Sequence, residues 1–263
     1  MKKLKDIQQL KQLKILVIGD SCEDIYHYGE CTRLSPEAPV PVFKERFKKI
    51  VPGMSSNVAK NIEQFGCEVV HMTNVEQITK RRFVDVRFNQ HLLRVDQGEG
   101  QVMRNVDISL FPSDVDAVFV SDYNKGFLRS HDCALLSEFY HNRSIPVFVD
   151  SKKKDLSCFR NCFLKVNEKE AEECTSLPKN SHVVTTLGAR GARYEGTAYS
   201  TDSVDVFDVS GAGDIFLSVF GLSYLLDRDI VNAIRVANKC SSRSVTKFGT
   251  YILTKEDINE LCV

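Results

Sequence analysis

The sequence lacks an excess of charge of either sign and lacks any long apolar run. Its 263 residues carry 35 Lys and Arg against 35 Asp and Glu, so bulk charge indicates neither a nucleic-acid nor a membrane partner. No apolar run approaches the ~20 residues that cross a bilayer. The N-terminal MKKLKDIQQLKQLK lacks the apolar core of a signal peptide. Its Leu and Ile recur every three residues, which predicts a short amphipathic helix lying on the fold.

The nine cysteines contain no CxxC pair, and no His or Cys cluster completes a metal-ligand pattern. Cys67 and Cys240 fall in apolar periodic segments, where a thiol behaves as a small hydrophobe. An odd number of cysteines without such a framework is typical of free thiols in a reducing compartment. The cysteine pattern therefore predicts a cytoplasmic protein.

Strand patterns and helix patterns alternate along most of the chain. Apolar runs typical of buried strands occupy residues 14–19, 67–73, 115–120, 146–150, 162–166 and 182–186. The alternation predicts a mostly parallel sheet with helices on both faces. Three prolines between Thr32 and Glu45 exclude a helix and favour an edge strand or a flap. Residues 83–95 alternate around Asn89-Gln90, which predicts a hairpin.

A glycine-containing segment, DVSGAGD at Asp208–Asp214, leads directly into the apolar run Ile215–Leu226. That run is apolar nearly all round, which predicts a helix buried in a core. Gly211 and Gly213 then lie in the first helical turn, where free backbone N–H groups and the helix dipole attract an anion. Asp214 shares that turn. A carboxylate base beside amides that neutralise phosphate is what phosphoryl transfer to a hydroxyl needs.

The same segment has a simpler interpretation, because Gly-Ala-Gly occurs in many loops and an Asp in a first helical turn also complements the helix dipole. A dinucleotide oxidoreductase is disfavoured, since the first strand is followed by GDSCED and not by GxGxxG. Asp20 and Asp24 in that stretch follow the strand at the edge where α/β proteins bind ligands. Either one can grip substrate hydroxyls or merely cap a turn.

Together these motifs resemble the PfkB (ribokinase-like) sugar kinases, whose signature is D-T-x-G-A-G-D. More narrowly, GDSCEDIYHYGECTRLSPEAPVPVFK at Gly19–Lys44 resembles the opening of heptose-7-phosphate kinases. These form one half of bifunctional heptose kinase/adenylyltransferase proteins of bacterial surface-polysaccharide synthesis. The resemblance is collinear over almost the whole chain, and the adenylyltransferase half has no counterpart in these residues. Its further segments are PGMSSNVAKNI from Pro52, Ile78–Asp96, SDYNKG from Ser121, VNEKE from Val166 and FGT from Phe248.

The resemblance implies a ribokinase-like three-layer α/β fold in which residues 1–263 form one kinase domain. Segments near 37–50 and 78–96 would form a small β lid that closes over the sugar and mediates a homodimer. The activity implied is ATP-dependent phosphorylation of a sugar phosphate. It would act at the anomeric hydroxyl of heptose 7-phosphate and give heptose 1,7-bisphosphate. ATP and Mg²⁺ would be required, and some family members also bind K⁺.

The resemblance also implies roles for the matching residues. Asp214 corresponds to the general base, and Gly211, Ala212 and Gly213 correspond to the amides of the anion hole. The positions implied for substrate binding are Asp24, Gly53, Asn57 and Arg94.

The positions implied for the nucleotide are Asn167, Glu168, Lys169 and Glu170, the loop residues Thr186, Gly188 and Gly191, and Asn238 beside the adenine. Glu170 would reach Mg²⁺ through water. The backbone carbonyl of Asp208, with the FGT segment, would reach a monovalent cation. For Asn167 and Glu170 the alternative is a helix N-cap with a first-turn Glu.

The chain also departs from the family. Gly53-Met54 replaces a common Gly-Gly pair, so a side chain is expected to narrow the space near the sugar. The sections after Gln77 and Asp96 are short, which predicts a trimmed sheet edge and more dependence on a dimer partner. Two alternatives therefore stay open: a kinase for another sugar of a surface-glycan pathway, and a catalytically silent binding homologue. The retained Asp214 and NEKE acids argue against the silent protein.

Overall fold

The part of the chain that the structure describes forms two β-sheets, one large and one small. The computed structural model describes residues 7–100 and 106–262. The strands are β1 (Lys14–Gly19), β2 (Ser21–Leu34), β3 (Pro41–Met54), β4 (Glu68–Met72), β5 (Thr79–Asp85), β6 (Gln90–Gln97), β7 (Ala117–Asp122), β8 (Val147–Ser151), β9 (Phe163–Asn167), β10 (His182–Thr186), β11 (Ala192–Tyr194) and β12 (Thr197–Tyr199). The α-helices are α1 (Ser55–Gln64), α2 (Ser130–His141), α3 (Glu168–Glu173), α4 (Ala212–Asp227), α5 (Ile230–Val245) and α6 (Lys255–Cys262).

The large sheet has eight strands in the order β12-β11-β10-β9-β8-β7-β1-β4. All pairs from β10 to β4 are parallel, and only β11 and β12 join antiparallel. The β-branched runs form these central strands because both faces of a parallel sheet are buried. The mostly parallel sheet expected from the alternation is confirmed.

Helices cover both faces of the large sheet. Along β1, Ile15 and Val17 belong to one apolar core, and Leu16 and Ile18 to the other, because successive side chains of a strand point to opposite faces. Residues of α1, α4, α5 and α6 complete the first core, and residues of α2 with those flanking α3 complete the second. The result is the three-layer arrangement.

The small sheet has the order β3-β2-β5-β6. The pairs β2–β3 and β5–β6 are antiparallel, whereas β2 and β5 run parallel, so the sheet is mixed. The segments 37–50 and 78–96 fall largely on its strands. β3 is an edge strand that contains Pro41 and Pro52, and an edge strand is where a missing N–H is tolerated. We call this small sheet the lid, and the large sheet with its helices and connecting segments the body. Tyr26, Val51 and Val84 of the lid pack with Phe248 of the body.

Two shorter segments complete the fold. A 3₁₀ helix at Ile7–Gln12 buries Leu10, and the three-residue repeat of the N-terminal apolar positions suits this helix type; Leu4 lies outside the described residues. Among the described residues between β6 and β7, the only helical turn is a 3₁₀ turn at Ile108–Leu110. No helix within the described ranges has the length and apolar character to cross a membrane.

Candidate active site

The buried helix α4 begins where the glycine pattern predicted. Gly211 is its N-cap residue with a φ of 79°, a left-handed conformation that glycine adopts without steric cost. Asp214 lies in the first turn and is only 2% exposed. The first N–H groups of a helix have no intrahelical acceptor, and here the first of them, Ala212 N, donates to the Val209 carbonyl at 3.3 Å.

Two neutral donors hold the Asp214 carboxylate. Asn57 Nδ2 donates to Oδ2 at 3.0 Å, and the Tyr123 hydroxyl donates to Oδ1 at 2.9 Å. Burial raises the pKa of Asp214 to about 6, the Asp150 charge adds to this rise, and the two hydrogen bonds oppose it. The group is therefore ionised at neutral pH and is a far better proton acceptor than an ordinary Asp.

Both glycines at the start of α4 have close neighbours. A Cβ on Gly211 would lie 2.8 Å from Asn57 Nδ2, and a Cβ on Gly213 would lie 2.9 Å from Lys165 Nζ. The backbone of this turn is thus pressed against one donor to Asp214 and against one buried ammonium group. A side chain at either position would displace these groups.

Beside the turn, two lysines share one buried carboxylate. Lys165 Nζ lies 2.6 Å from Asp150 Oδ2, and Lys152 Nζ lies 2.9 Å from Oδ1. Burial alone would raise the pKa of Asp150, but the two ammonium charges outweigh it and lower the pKa to about 2. Lys152 also contacts Glu170 at 2.5 Å. The two ammonium groups are balanced by Asp150 and Glu170, and Lys152 and Lys165 line the same cleft as Gly211 and Gly213.

The NEKE segment forms a capping box at the start of α3. Glu170 N donates to Asn167 Oδ1 at 2.8 Å, and Asn167 N donates to Glu170 Oε2 at 2.7 Å. Glu168 pairs with Arg190 at 2.6 Å, and Lys169 is exposed. Asn167 and Glu170 therefore cap the N-terminus of α3, as the simpler interpretation of this segment predicted. Their contact with a nucleotide or a metal stays a prediction.

An apolar cavity of about 220 Å³ adjoins the cleft, and Thr186, Gly188, Gly191 and Asn238 line it. Val206, Val209 and Phe216 form apolar walls, which suit a flat aromatic group. Asn238 Nδ2 donates to the Tyr199 carbonyl at 2.9 Å. Cavity and cleft share Thr186, Gly188, Val209 and Gly213, so a continuous groove leads from the apolar end to the first turn of α4.

On the lid side, Asp24 forms a buried ion pair with Arg82 at 2.5 Å. Thr250 Oγ1 donates to the other carboxylate oxygen at 2.9 Å. Sequence reasoning did not single out Arg82. Arg94, which it did single out, is paired with Arg82 across β5 and β6, but its side chain is 50% exposed and bound to Asp96. The alternation of Lys80 and Arg82 along β5 was the signal available.

Gly53 lies beside the Asp24 carboxylate, and Asn57 contacts the Asp214 carboxylate. A Cβ on Gly53 would lie 2.6 Å from Asp24 Oδ2, so this acid requires a glycine beside it. Asn57 is fully buried, and its amide group contacts Asp214 and Asn61. Met54 has a φ of 58° and a ψ of −132°, a conformation natural to glycine, and its side chain belongs to a buried apolar core.

Lys80 differs from the other buried cations near the site. Its side chain is buried, and its Nζ lies 5.3 Å from the centroid of the Tyr123 ring. Among the described residues, no carboxylate lies within 4.0 Å of this Nζ; the acid opposite Lys80 across β5 and β6, Asp96, is bound by Arg94. A buried ammonium group without a counter-charge is costly, unless a ligand supplies that charge.

The Asp208 loop lies beside the FGT segment. Gly249 N donates to Asp208 Oδ2 at 3.0 Å, and Ser210 N donates to Oδ1 at 2.8 Å. The structure therefore brings together the two segments named for a monovalent cation. The described residues contain no group of three or more His, Cys, Asp or Glu side chains that could hold a metal ion.

Comparison with known proteins identifies the family. A model described as pfkB family carbohydrate kinase matches residues 110–257. The chain is 29% identical over 301 residues to the bifunctional protein HldE of Nitratiruptor sp., a match that covers 94% of the chain and 64% of that relative. The HldE of Pseudomonas aeruginosa is also 29% identical, over 94% of the chain and 63% of its own length. The chain thus matches less than two thirds of these curated relatives.

Solved structures share the fold at low sequence identity. Escherichia coli phosphofructokinase-2 in complex with potassium has a TM-score of 0.72 at 14% identity, covering 95% of this chain and 97% of that one. Arabidopsis thaliana ribokinase with ribose and ATP has a TM-score of 0.67 at 15% identity, covering 95% and 98%. The ribokinase-like fold expected from the motifs is confirmed. The chain belongs to the pfkB family of carbohydrate kinases, enzymes that transfer a phosphoryl group from ATP to a sugar hydroxyl.

Proposed function

We propose that this kinase phosphorylates the anomeric hydroxyl of heptose 7-phosphate and produces heptose 1,7-bisphosphate. The observation that carries a kinase reaction at this site is the placement of Asp214. It is a buried carboxylate with neutral partners in the first turn of α4, and its partner Tyr123 lines the cleft together with Gly211 and Gly213. The heptose acceptor is supported by the resemblance of Gly19–Lys44 and by the similarity to HldE.

In the proposed reaction, the oxygen of the sugar hydroxyl attacks the γ-phosphorus of ATP, and Asp214 accepts the proton of that hydroxyl. The bond to the β,γ-bridging oxygen breaks, and ADP leaves. An anomeric hydroxyl is more acidic than an ordinary alcohol, so a carboxylate with a pKa of about 6 is a competent base for it. The N–H groups at Gly211 and Gly213 would stabilise the charge on the transferring phosphoryl group. The N–H of Ala212 would join them by releasing the Val209 carbonyl, to which it donates at 3.3 Å.

The groove would hold ATP with its adenine in the apolar cavity near Asn238 and its phosphates near Gly188 and Gly213. Since the described residues offer no carboxylate cluster for a cation, Mg²⁺ would be held mainly by the phosphate oxygens. Both oxygens of Glu170 already accept hydrogen bonds, from Lys152 and from Asn167 N. We therefore propose that Glu170 contacts Mg²⁺ through a water molecule and not directly. When bound, Mg²⁺ would neutralise charge on the phosphates. We further propose K⁺ at the Asp208 carbonyl.

The lid side would bind the acceptor. The Asp24 carboxylate is fixed by Arg82 and Thr250, and a fixed carboxylate can accept hydrogen bonds from sugar hydroxyls. Lys80 supplies a buried positive charge; it is in register with Asp24 across β2 and β5, and its Nζ lies 5.3 Å from the centroid of the Tyr123 ring. A phosphorylated acceptor would provide the missing negative charge, whereas a neutral sugar would not. This charge balance favours a sugar phosphate.

The test is an acceptor panel with ATP and Mg²⁺, in which heptose 7-phosphate is compared with unphosphorylated heptose and with other sugar phosphates. Lys80→Met should raise KM for the phosphorylated acceptor about 10-fold or more and leave KM for ATP unchanged. The control is Lys48→Met, an exposed lysine of the same lid. Turnover of another sugar with heptose 7-phosphate inert would identify a different acceptor. Tight sugar binding without turnover of any acceptor would identify a silent homologue.

Assembly and location complete the proposal. Phe47, Ile50 and Leu93 of the lid are each more than half exposed, which supports a homodimer through the lid. Sedimentation analysis should give a dimer, and Ile50→Lys should shift it to monomer. All nine cysteines are free thiols, which supports the cytoplasm as the location.

A further inference from the structure

Tyr123 lies in the cleft directly after β7 and contacts the proposed base. Its hydroxyl donates to Asp214 Oδ1 at 2.9 Å. The side chain is half-buried and lines the cleft together with Gly211 and Gly213. No sequence motif had singled out this tyrosine within SDYNKG.

The two oxygens of Asp214 face different surroundings. Oδ2 is bound by Asn57, which is fully buried and is itself bound by Asn61. Oδ1 is bound by Tyr123, which reaches the cleft. Asp214 itself is buried, and of the two side chains that donate to it Tyr123 lines the cleft, so we expect the acceptor hydroxyl at Oδ1. Because each carboxylate oxygen has two acceptor positions, Oδ1 can keep the tyrosine hydrogen bond and still accept the proton.

The ring of Tyr123 is held by charged neighbours on both parts of the molecule. Lys80 Nζ of the lid lies 5.3 Å from the ring centroid, and Lys152 Nζ of the body lies 5.4 Å from it. Cations near an aromatic face are attracted to it, so these contacts restrain the ring. Burial, followed by the negative charge of Asp214, raises the pKa of Tyr123 well above its ordinary value. The hydroxyl therefore stays protonated and remains a donor.

We propose that Tyr123 is a positioning residue for Asp214. Its hydrogen bond orients the carboxylate so that Oδ1 receives the proton of the sugar hydroxyl, and it keeps Asp214 ionised. This inference rests on the proposed kinase reaction at Asp214. It adds a residue that acts through the base and not on the transferred group.

The test is the pH profile of kcat/KM for Tyr123→Phe, which removes the hydroxyl and keeps the ring. Loss of a hydrogen bond to a charged group should move the acidic limb about one pH unit upward and lower the plateau several-fold. A merely structural role would lower the activity equally at every pH. The matched control is Tyr140→Phe, a buried tyrosine that donates to the Pro112 carbonyl outside the cleft; its limb should stay in place.

A second measurement does not depend on the acceptor. The titration of the Asp214 carboxyl is followed by NMR in protein labelled at the Asp carboxyl carbon, and the resonance is assigned by its absence in Asp214→Asn. In Tyr123→Phe it should titrate at higher pH than in the wild type. If the wild type phosphorylates no sugar, the proposed function fails while this titration still tests the tyrosine. Coincident limbs and coincident titrations in the wild type and Tyr123→Phe would overturn the inference.

Discussion

Asp214 and Asp24 are both buried carboxylates, yet the groups that donate hydrogen bonds to them differ in charge. Asp214 is held by an amide and a phenol, both neutral, whereas Asp24 is held by the Arg82 guanidinium and a threonine hydroxyl. Neutral donors leave the carboxylate able to take up a proton, because ionisation is opposed by burial. The Arg82 guanidinium instead pairs with the Asp24 carboxylate and holds it in place. The comparison shows how one residue type can act as a base at one end of a site and as a fixed anchor at the other.

The sharpest way to break this comparison is Asp214→Asn. Without a base, kcat should fall by about 10²- to 10⁴-fold, while KM for ATP changes little. Steady-state kinetics with saturating acceptor measure this effect. Asp24→Asn is the paired variant and should act mainly on acceptor KM. If the two variants lowered kcat alike with unchanged KM, the distinction between base and anchor would be lost.

Removing Arg82 should affect stability most. In Arg82→Met, the Asp24 carboxylate stays buried without its counter-charge, so the free energy of unfolding should drop by roughly 3–5 kcal/mol. Urea denaturation measures it. The double variant Asp24→Asn/Arg82→Met should recover most of that stability but not acceptor binding. Recovery of both would mean that the ion pair is structural only.

The pH dependence should separate the effect of Asp214 on stability from its effect on catalysis. Folding raises the pKa of Asp214 from 3.8 to about 6, so its ionisation is less favourable in the folded chain. Its contribution to the free energy of unfolding, up to about 3 kcal/mol, is present below pH 4 and lost as the pH rises through 6. Activity runs in the opposite direction and falls below about pH 6. Asp214→Asn should abolish this contribution to the pH dependence of stability, which melting at several pH values would show.

The glycine cradle offers a smaller, well-controlled test. Gly211→Ala places a Cβ 2.8 Å from Asn57 Nδ2 at a positive φ. Gly196 also has a positive φ, but a Cβ there meets nothing within 4 Å. Both variants should lose about 1 kcal/mol through backbone strain, and only Gly211→Ala should also lose activity. Equal activity in both would show that the Asn57–Asp214 contact does not depend on the glycine.

The smallest effect is expected for Arg94→Met. Arg94 is half exposed and pairs with Asp96, and such surface pairs contribute about 0–1 kcal/mol. Unfolding should therefore change little, in contrast to Arg82→Met. A clear rise in acceptor KM would support the original expectation that Arg94 binds substrate, whereas unchanged KM would leave that role to Arg82 and Lys80.

Much of the body could be predicted because its signals are local. The β-branched runs became β1, β7, β8, β9 and β10, and the apolar run after Gly213 became α4. The lid was harder to predict. β2 extends over Ser21–Leu34, but Asp24 and Tyr26 occupy alternate positions that contact Thr250. Polar side chains therefore replace the apolar alternation by which a strand is recognised.

The sequence by itself determined that one chain would alternate strands with helices and that a carboxylate would stand in the first turn of a buried helix. Backbone preferences and apolar periodicity act over a few residues, so they can be read directly. Only the tertiary structure decided which arginine pairs with Asp24 and that Tyr123 and Asn57 share Asp214. It also decided that, within the described ranges, no carboxylate comes within 4.0 Å of Lys80 Nζ. The hydrogen bonds from Arg82, Tyr123 and Asn57 to these two carboxylates join residues 58 to 157 positions apart, and nothing in local spacing specifies them.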